Sequence, residues 1–293
     1  MAGKKPLIIA HRGASGLAPE NTLPAFRAAI AAGADGIEFD VQLTRDGQAV
    51  VVHDFDISKE WARLDGRWID AKGPAVRDLT LADIRRYNVG RLRPFSQYDK
   101  RYPDYVPADN ATIPTLREVL ALVRDEAPPG FQMWLELKVA PAGEAAASDP
   151  IATARAALAA LQEFGLVQQT VLISFYWPAL YYSQRQLPGL RTGYLSSERP
   201  WGNNIQAHRP DRSPWTAPFD AADYGGDIPA MIRAAGGYAW SVYHLDLTPE
   251  RLAQARSQGL TVGVWTIREH PEADAALAAG VDVITTDRPD WFR

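Results

Sequence analysis

The chain has 293 residues, 46% hydrophobic and 23% charged, with a net charge of −4 and no cysteine. That length supports a substantial core, and the mild acidity argues against a nucleic-acid partner, which would favour a basic face. Without cysteine there are no disulfides, thiolate metal ligands or Cys nucleophile.

Met1-Ala2-Gly3-Lys4-Lys5-Pro6 is followed by only four apolar residues before His11. A secretory signal needs a longer apolar core, and no stretch approaches the ~20 apolar residues of a membrane span. The expected compartment is therefore the cytoplasm, with a trimmed periplasmic form left open.

Apolar and β-rich runs then recur at 7–11, 36–41, 133–137, 170–174, 192–195, 239–243, 261–265 and 281–285. Several are nearly continuous in hydrophobicity, as strands covered on both faces are. Helical segments separate them. Thr22 caps one, with Pro24 in its first turn, Leu23, Phe26 and Ile30 as its apolar stripe and Gly33 at its end. Thr115 and Glu118 form a capping box before the next. Thr248-Pro249-Glu250 starts a helix that stops at Gly259, and 271–280 repeats the scheme. Eight strands alternating with helices predict an α/β fold, a parallel (β/α)8 TIM barrel. The chain reads as a single domain, 1–293. Residues 55–113 are too long for a barrel loop and read as an insertion after the second strand, a lid with one short helix near 81–87. Residues 141–149 and 200–226 are further long loops.

Chemistry gathers at the strand ends. In Gly36-Ile37-Glu38-Phe39-Asp40-Val41, residues two apart share a face, so Glu38 and Asp40 point into the barrel mouth while their apolar neighbours face the helices. Two such carboxylates repel each other in a low-dielectric site, and a hard cation with oxygen ligands, Mg²⁺ or Ca²⁺, removes the penalty. The same pair also suits one carboxylate on an arginine and the other in water. Glu136 and Lys138 share the inner face by the same periodicity. Alone they would read as a buried ion pair; beside Glu38 and Asp40, Glu136 becomes a third metal ligand and Lys138 a point charge for phosphate.

His11 and His53 each end an apolar run, at the active face of a parallel barrel. A lone histidine there is more often structural, but two beside an acidic cluster suit acid/base chemistry. Arg12 supplies a planar fork for phosphate oxygens, and Gly13 permits a tight backbone turn around a ligand. His208 and His270 read as solvated, and His244 as a residue at the mouth. Trp265 would be core in most settings; at a strand end it walls the site against water. The Phe175-Tyr176-Trp177 cluster is expected to help it contact an alcohol or acyl group.

These motifs resemble the glycerophosphodiester phosphodiesterases. The resemblance lies in His11-Arg12-Gly13, Pro19-Glu20-Asn21-Thr22, residues 36–41 with Thr44-Arg45-Asp46-Gly47, and His53-Asp54. It continues in Ile113-Pro114-Thr115-Leu116, Leu135-Glu136-Leu137-Lys138, Val264-Trp265-Thr266 and Ile284-Thr285-Thr286-Asp287-Arg288-Pro289. It implies a (β/α)8 barrel with a small insertion after the second strand. It also implies hydrolysis of glycerophosphodiesters, such as glycerophosphocholine or glycerophosphoethanolamine, to sn-glycerol 3-phosphate and an alcohol. Glu38, Asp40 and Glu136 would bind the divalent cation, His11 and His53 act as acid and base, and Arg12 and Lys138 hold the phosphate. A lysophospholipase D acting on lysophospholipids, and a catalytically silent phosphodiester-binding protein, are the alternatives. The sequence departs from many relatives after His53-Asp54, where it reads Phe55-Asp56-Ile57-Ser58-Lys59, and this bears on the leaving alcohol.

Overall fold

The computed structural model describes residues 5–143 and 146–293. The first four residues, which belong to the N-terminal stretch read above for a leader, and residues 144 and 145 of the 141–149 loop lie outside the described residues.

Eight parallel strands close into a barrel: Leu7–Ala10, Gly36–Leu43, Gln132–Leu137, Thr170–Ser174, Arg191–Ser196, Ala239–Tyr243, Thr261–Ile267 and Val283–Thr286. The first pairs with both the second and the last, which closes the cylinder. One α-helix stands in each crossover that follows the first, third, fourth, fifth, sixth and seventh strands: Leu23–Ala31, Pro150–Phe164, Trp177–Gln186, Ile228–Ala234, Pro249–Ser257 and His270–Ala279. The crossover after the second strand is longer and returns to the barrel through helix Leu116–Glu126. Local chemistry explains the boundaries. Thr22 and Thr248 accept the N-cap hydrogen bonds of their helices, each with a proline in the first turn. The Thr115–Glu118 capping box forms in both directions, satisfying donors that a helix start leaves unpaired.

The alternation within strands sets two cores. Ile37, Phe39 and Val41 point outward into the layer between sheet and helices, where Phe39 meets Phe26 edge to face at 5.7 Å. Truncating such an aromatic costs about 3–5 kcal/mol. Ile9, Trp134, Val171, Ile173, Leu195 and Val283 fill the barrel interior below the site. Trp134 lies opposite Glu38 in the strand register, and Glu136 opposite Asp40. The third strand thus climbs from an apolar plug to an acidic floor.

The second strand runs beyond the rim and turns back through Ala49–Val51, which pairs with it antiparallel, Val51 opposite Val41. His53 therefore does not end a barrel strand, as the apolar run before it suggested; it follows a hairpin that returns to the level of Asp40, where Val52 N–H donates to Asp40 O at 2.9 Å.

Residues 55–113 form a small substructure against this hairpin. Two-residue strands Arg63–Leu64, Arg67–Trp68 and Tyr87–Asn88 make a sheet of their own. Ile57, Trp61, Val76, Ile84 and Ile113 bury a second core with Val50 and Val52. The helix expected at 81–87 is shorter, Leu81–Ile84, because Tyr87 is taken into the small sheet. A further helix spans Gln97–Arg101. Among the described residues, no helix is long and apolar enough to cross a membrane.

Candidate active site

At the C-terminal end of the barrel a cavity of about 740 Å³ is lined by His11, Arg12, Glu38, His53, Glu136 and Lys138, with Trp265 among its aromatic walls. All the sequence-predicted site residues meet here except Asp40, which lies directly beneath, wholly buried. The turn after the first strand is tightly wound: Arg12 has φ 52° and Gly13 φ 77°. A Cβ on Gly13 would stand 2.7 Å from the Ala25 backbone, so the close approach that requires glycine is to the first helix.

Glu38, Asp40 and Glu136 each present an oxygen, all within 4.8 Å of one another. Burial raises the Glu38 carboxyl well above its usual range, and the neighbouring charges of Asp40 and Glu136 add to the effect. Burial lifts Glu136 to about 7 despite Lys138. Burial would also raise Asp40, but Lys138, His53, Arg12 and the Asn21 amide hold it below the ordinary carboxylate range. Two strained acids and one ionised one, all buried and all oxygen donors, fit a hard divalent cation, whose charge would relieve their repulsion.

The cations are engaged with these carboxylates. Lys138 Nζ lies 2.9 Å from Glu136 Oε1 and 3.4 Å from Asp40 Oδ1. Arg12 Nη1 donates to Glu20 Oε1 at 2.9 Å, and its Nε lies 3.6 Å from Asp40 Oδ2. The backbone N–H of Arg12 donates to Glu38 Oε2 at 2.9 Å, and Asn21 Nδ2 to Asp40 Oδ2 at 2.9 Å.

Each imidazole is paired with a carboxylate through Nδ1: His11 with Asp287 at 2.6 Å and His53 with Asp54 at 2.8 Å. A carboxylate there favours the tautomer with the proton on Nδ1 and leaves Nε2 as the basic nitrogen. Burial, then the Arg12 charge, lowers His11 to about 4, and burial with Arg12 and Lys138 does the same for His53. His53 is also held by buried Gln42, whose Nε2 donates to the carbonyls of Val52, His53 and Asp54 at 2.9, 3.2 and 2.9 Å.

Other expectations divide. Phe175 and Trp265 line the cavity, 5.2 Å apart edge to face, and Trp265 Nε1 donates to Ser241 O at 3.0 Å. Trp177 is core instead, fully buried and donating to Leu195 O at 2.9 Å. His244 turns away from the mouth towards Glu272, 3.6 Å distant, and Tyr243 lines the cavity in its place. His208 and His270 are both exposed as expected, and His270 stacks on Trp291 at 4.1 Å. Sequence reasoning assigned no role to Asp287, Gln42, Asn21 or Glu20. Three of them stood in the family-like motifs, but nothing in their spacing marks a partner far along the chain.

The Glycerophosphoryl diester phosphodiesterase family matches residues 11–291. A glycerophosphodiester phosphodiesterase of Caldanaerobacter subterraneus subsp. tengcongensis is 27% identical, over 98% of this chain and 96% of its own. A crystal structure from Silicibacter pomeroyi, of a protein assigned as a glycerophosphoryl diester phosphodiesterase, superposes with a TM-score of 0.84 at 35% identity, over 99% of this chain and 92% of its own. An Oleispira antarctica phosphodiesterase, solved with its product sn-glycerol-3-phosphate, shares the fold at a TM-score of 0.68 and 23% identity, covering 98% and 95% of the two chains. The chain belongs to the glycerophosphoryl diester phosphodiesterase family.

Proposed function

We propose that the protein hydrolyses glycerophosphodiesters, such as glycerophosphocholine or glycerophosphoethanolamine, to sn-glycerol 3-phosphate and an alcohol, with residues 1–293 acting as one domain and 55–113 as its insertion. The observation that carries this reading is the meeting of three buried carboxylates, two imidazoles and two cationic side chains at one barrel mouth.

Glu38, Asp40 and Glu136 would hold Mg²⁺ or Ca²⁺, which when bound supplies Lewis-acid polarisation of a phosphoryl oxygen and offsets negative charge. The Arg12 fork and the Lys138 ammonium take phosphate oxygens, exchanging contacts now made to carboxylates. One neutral imidazole accepts the proton of the glycerol 2-hydroxyl as that oxygen attacks phosphorus. The other, carrying a proton, delivers it to the departing alcohol oxygen as the P–O bond breaks. Water then opens the resulting cyclic phosphate with the proton roles exchanged. Trp265 walls the reacting centre.

The aromatic side of the cavity, with Phe175, Trp201 and Trp265 in contact, favours a second reading, a lysophospholipase D that rests an acyl chain there. Release of glycerol 3-phosphate from glycerophosphocholine, compared with choline release from lysophosphatidylcholine in Mg²⁺ and in Ca²⁺, separates the two. Full turnover in excess EDTA would exclude the metal-dependent mechanism, and binding without turnover of either substrate would support a silent binder.

A further inference from the structure

Asp287 follows the last barrel strand and is 1% exposed. Its Oδ1 accepts from His11 Nδ1 at 2.6 Å and from Ser15 Oγ at 2.9 Å; its Oδ2 accepts from the Tyr102 hydroxyl at 2.6 Å and from Arg268 Nε at 2.8 Å. Four donors fill the acceptor capacity of one carboxylate. Three come from loops of the barrel rim. The fourth comes from the insertion.

Tyr102 sits on a segment stitched to the rim at alternate residues. Asp104 Oδ2 accepts from Arg288 Nη1 at 2.8 Å, and Val106 N–H donates to Leu17 O at 2.9 Å. These two ties fasten the segment without touching Asp287. Of these three contacts, the Tyr102 hydroxyl is the one that enters the network that holds His11.

A carboxylate turns about a soft sp³–sp² torsion, so its orientation is set by the donors on each oxygen. With Tyr102 and Arg268 on Oδ2, Oδ1 is aimed at His11. Without the phenol one donor remains on that oxygen, and the carboxylate can rotate away from the imidazole. We infer that Tyr102 is a positioning residue: its hydroxyl, brought by the insertion, locks Asp287 so that His11 keeps Nδ1 protonated and Nε2 turned to the substrate. This rests on the reading that His11 exchanges a proton with the phosphodiester. It gives the insertion a part in assembling the site.

The test uses the full chain, with glycerophosphocholine and a divalent cation. Tyr102→Phe should lower kcat about three- to tenfold, the scale of one ordinary net hydrogen bond, since the phenol acts on His11 only through Asp287, with KM within about twofold. Asp287→Asn should lower kcat about a hundredfold or more, and on that background Tyr102→Phe should cost less than about twofold, because its route to His11 is already cut. Asp104→Asn, which removes a neighbouring tie, should stay within about twofold of the parent. An unchanged kcat in Tyr102→Phe, an undiminished loss on the Asp287→Asn background, or an equal loss in Asp104→Asn overturns the inference. Should Asp287→Asn fail to fold, the ¹⁵N resonances of His11 decide: one tautomer in the parent and a mixture in Tyr102→Phe support the inference, and identical populations overturn it. His11→Ala separates the levels. If it retains full activity, the reading of the site fails; if it is inactive while Tyr102→Phe is unaffected, only the positioning role fails.

Discussion

Asp40 and Glu136 stand opposite each other across the second and third barrel strands, Cα partners in a parallel register. With Glu38 they bring three carboxylate oxygens within 4.8 Å. Lys138 lies against two of the three carboxylates, at 2.9 Å from Glu136 and 3.4 Å from Asp40, yet burial, with the neighbouring carboxylate charges adding to it, holds Glu38 and Glu136 at raised pKa.

A divalent cation bound there should stabilise the fold. At a hundredfold excess over Kd the gain is about 2.7 kcal/mol, a rise of several degrees in Tm. Glu38→Gln should abolish that rise and, by removing one negative charge, leave the metal-stripped protein at least as stable as the parent. Differential scanning fluorimetry with EDTA, Mg²⁺ and Ca²⁺ reads both effects; a parent Tm indifferent to all three would remove the metal assignment.

His11→Ala and His53→Ala should each lower kcat by about 10²–10⁴, yet differ in stability. The partner of His11, Asp287, is 1% exposed, whereas Asp54 beside His53 is 32% exposed. A buried carboxylate that loses a donor costs about 1–3 kcal/mol, while water replaces the lost partner of Asp54. Urea unfolding should therefore rank His11→Ala below His53→Ala; the opposite order would contradict the burial argument.

Stability should fall on the acid side through Asp287. Burial alone would raise its pKa, but the charges of His11 and Arg268 and the hydrogen bonds from His11 and Tyr102 hold it below the ordinary range. A depressed folded-state pKa contributes stability that is present above the unfolded value, about 3.9, and is lost as pH falls through the folded one. Asp287→Asn should flatten the stability–pH curve below about pH 4 relative to the parent. An unchanged acid limb would show that other carboxylates dominate it.

Trp201 distinguishes the two substrate readings. It is 64% exposed at the cavity mouth, 6.3 Å from Trp265 and 5.1 Å from Tyr243. If an acyl chain rests on it, Trp201→Ala should raise KM for lysophosphatidylcholine about tenfold, as a loss of roughly 1.4 kcal/mol of apolar contact implies. KM for glycerophosphocholine should then hardly move. Equal changes for both substrates would speak against an acyl subsite.

Much of this architecture was legible in the chain. The apolar runs marked all eight barrel strands to within two residues at their ends, and period-two alternation set Glu38, Asp40, Glu136 and Lys138 on the inner face. The cap residues Thr22, Thr115 and Thr248 stand where they were read, because a helix start depends on its own first turn. Errors arose where a residue's surroundings come from elsewhere. The Val50–Val52 run belongs to a returning hairpin rather than a barrel strand, Trp177 turns into the core two residues after Phe175 enters the cavity, and His244 finds Glu272.

The sequence by itself determined the order of strands and helices and the face on which each charge stands, since both follow from interactions between residues close along the chain. Only the tertiary structure decided that Glu136 lies across from Asp40, that a hairpin returns His53 to their level, and that Asp287 and Tyr102 converge on His11. Those relationships depend on strand register, barrel closure and the docking of the insertion. These are fixed by packing over the whole molecule and leave no local periodicity to read.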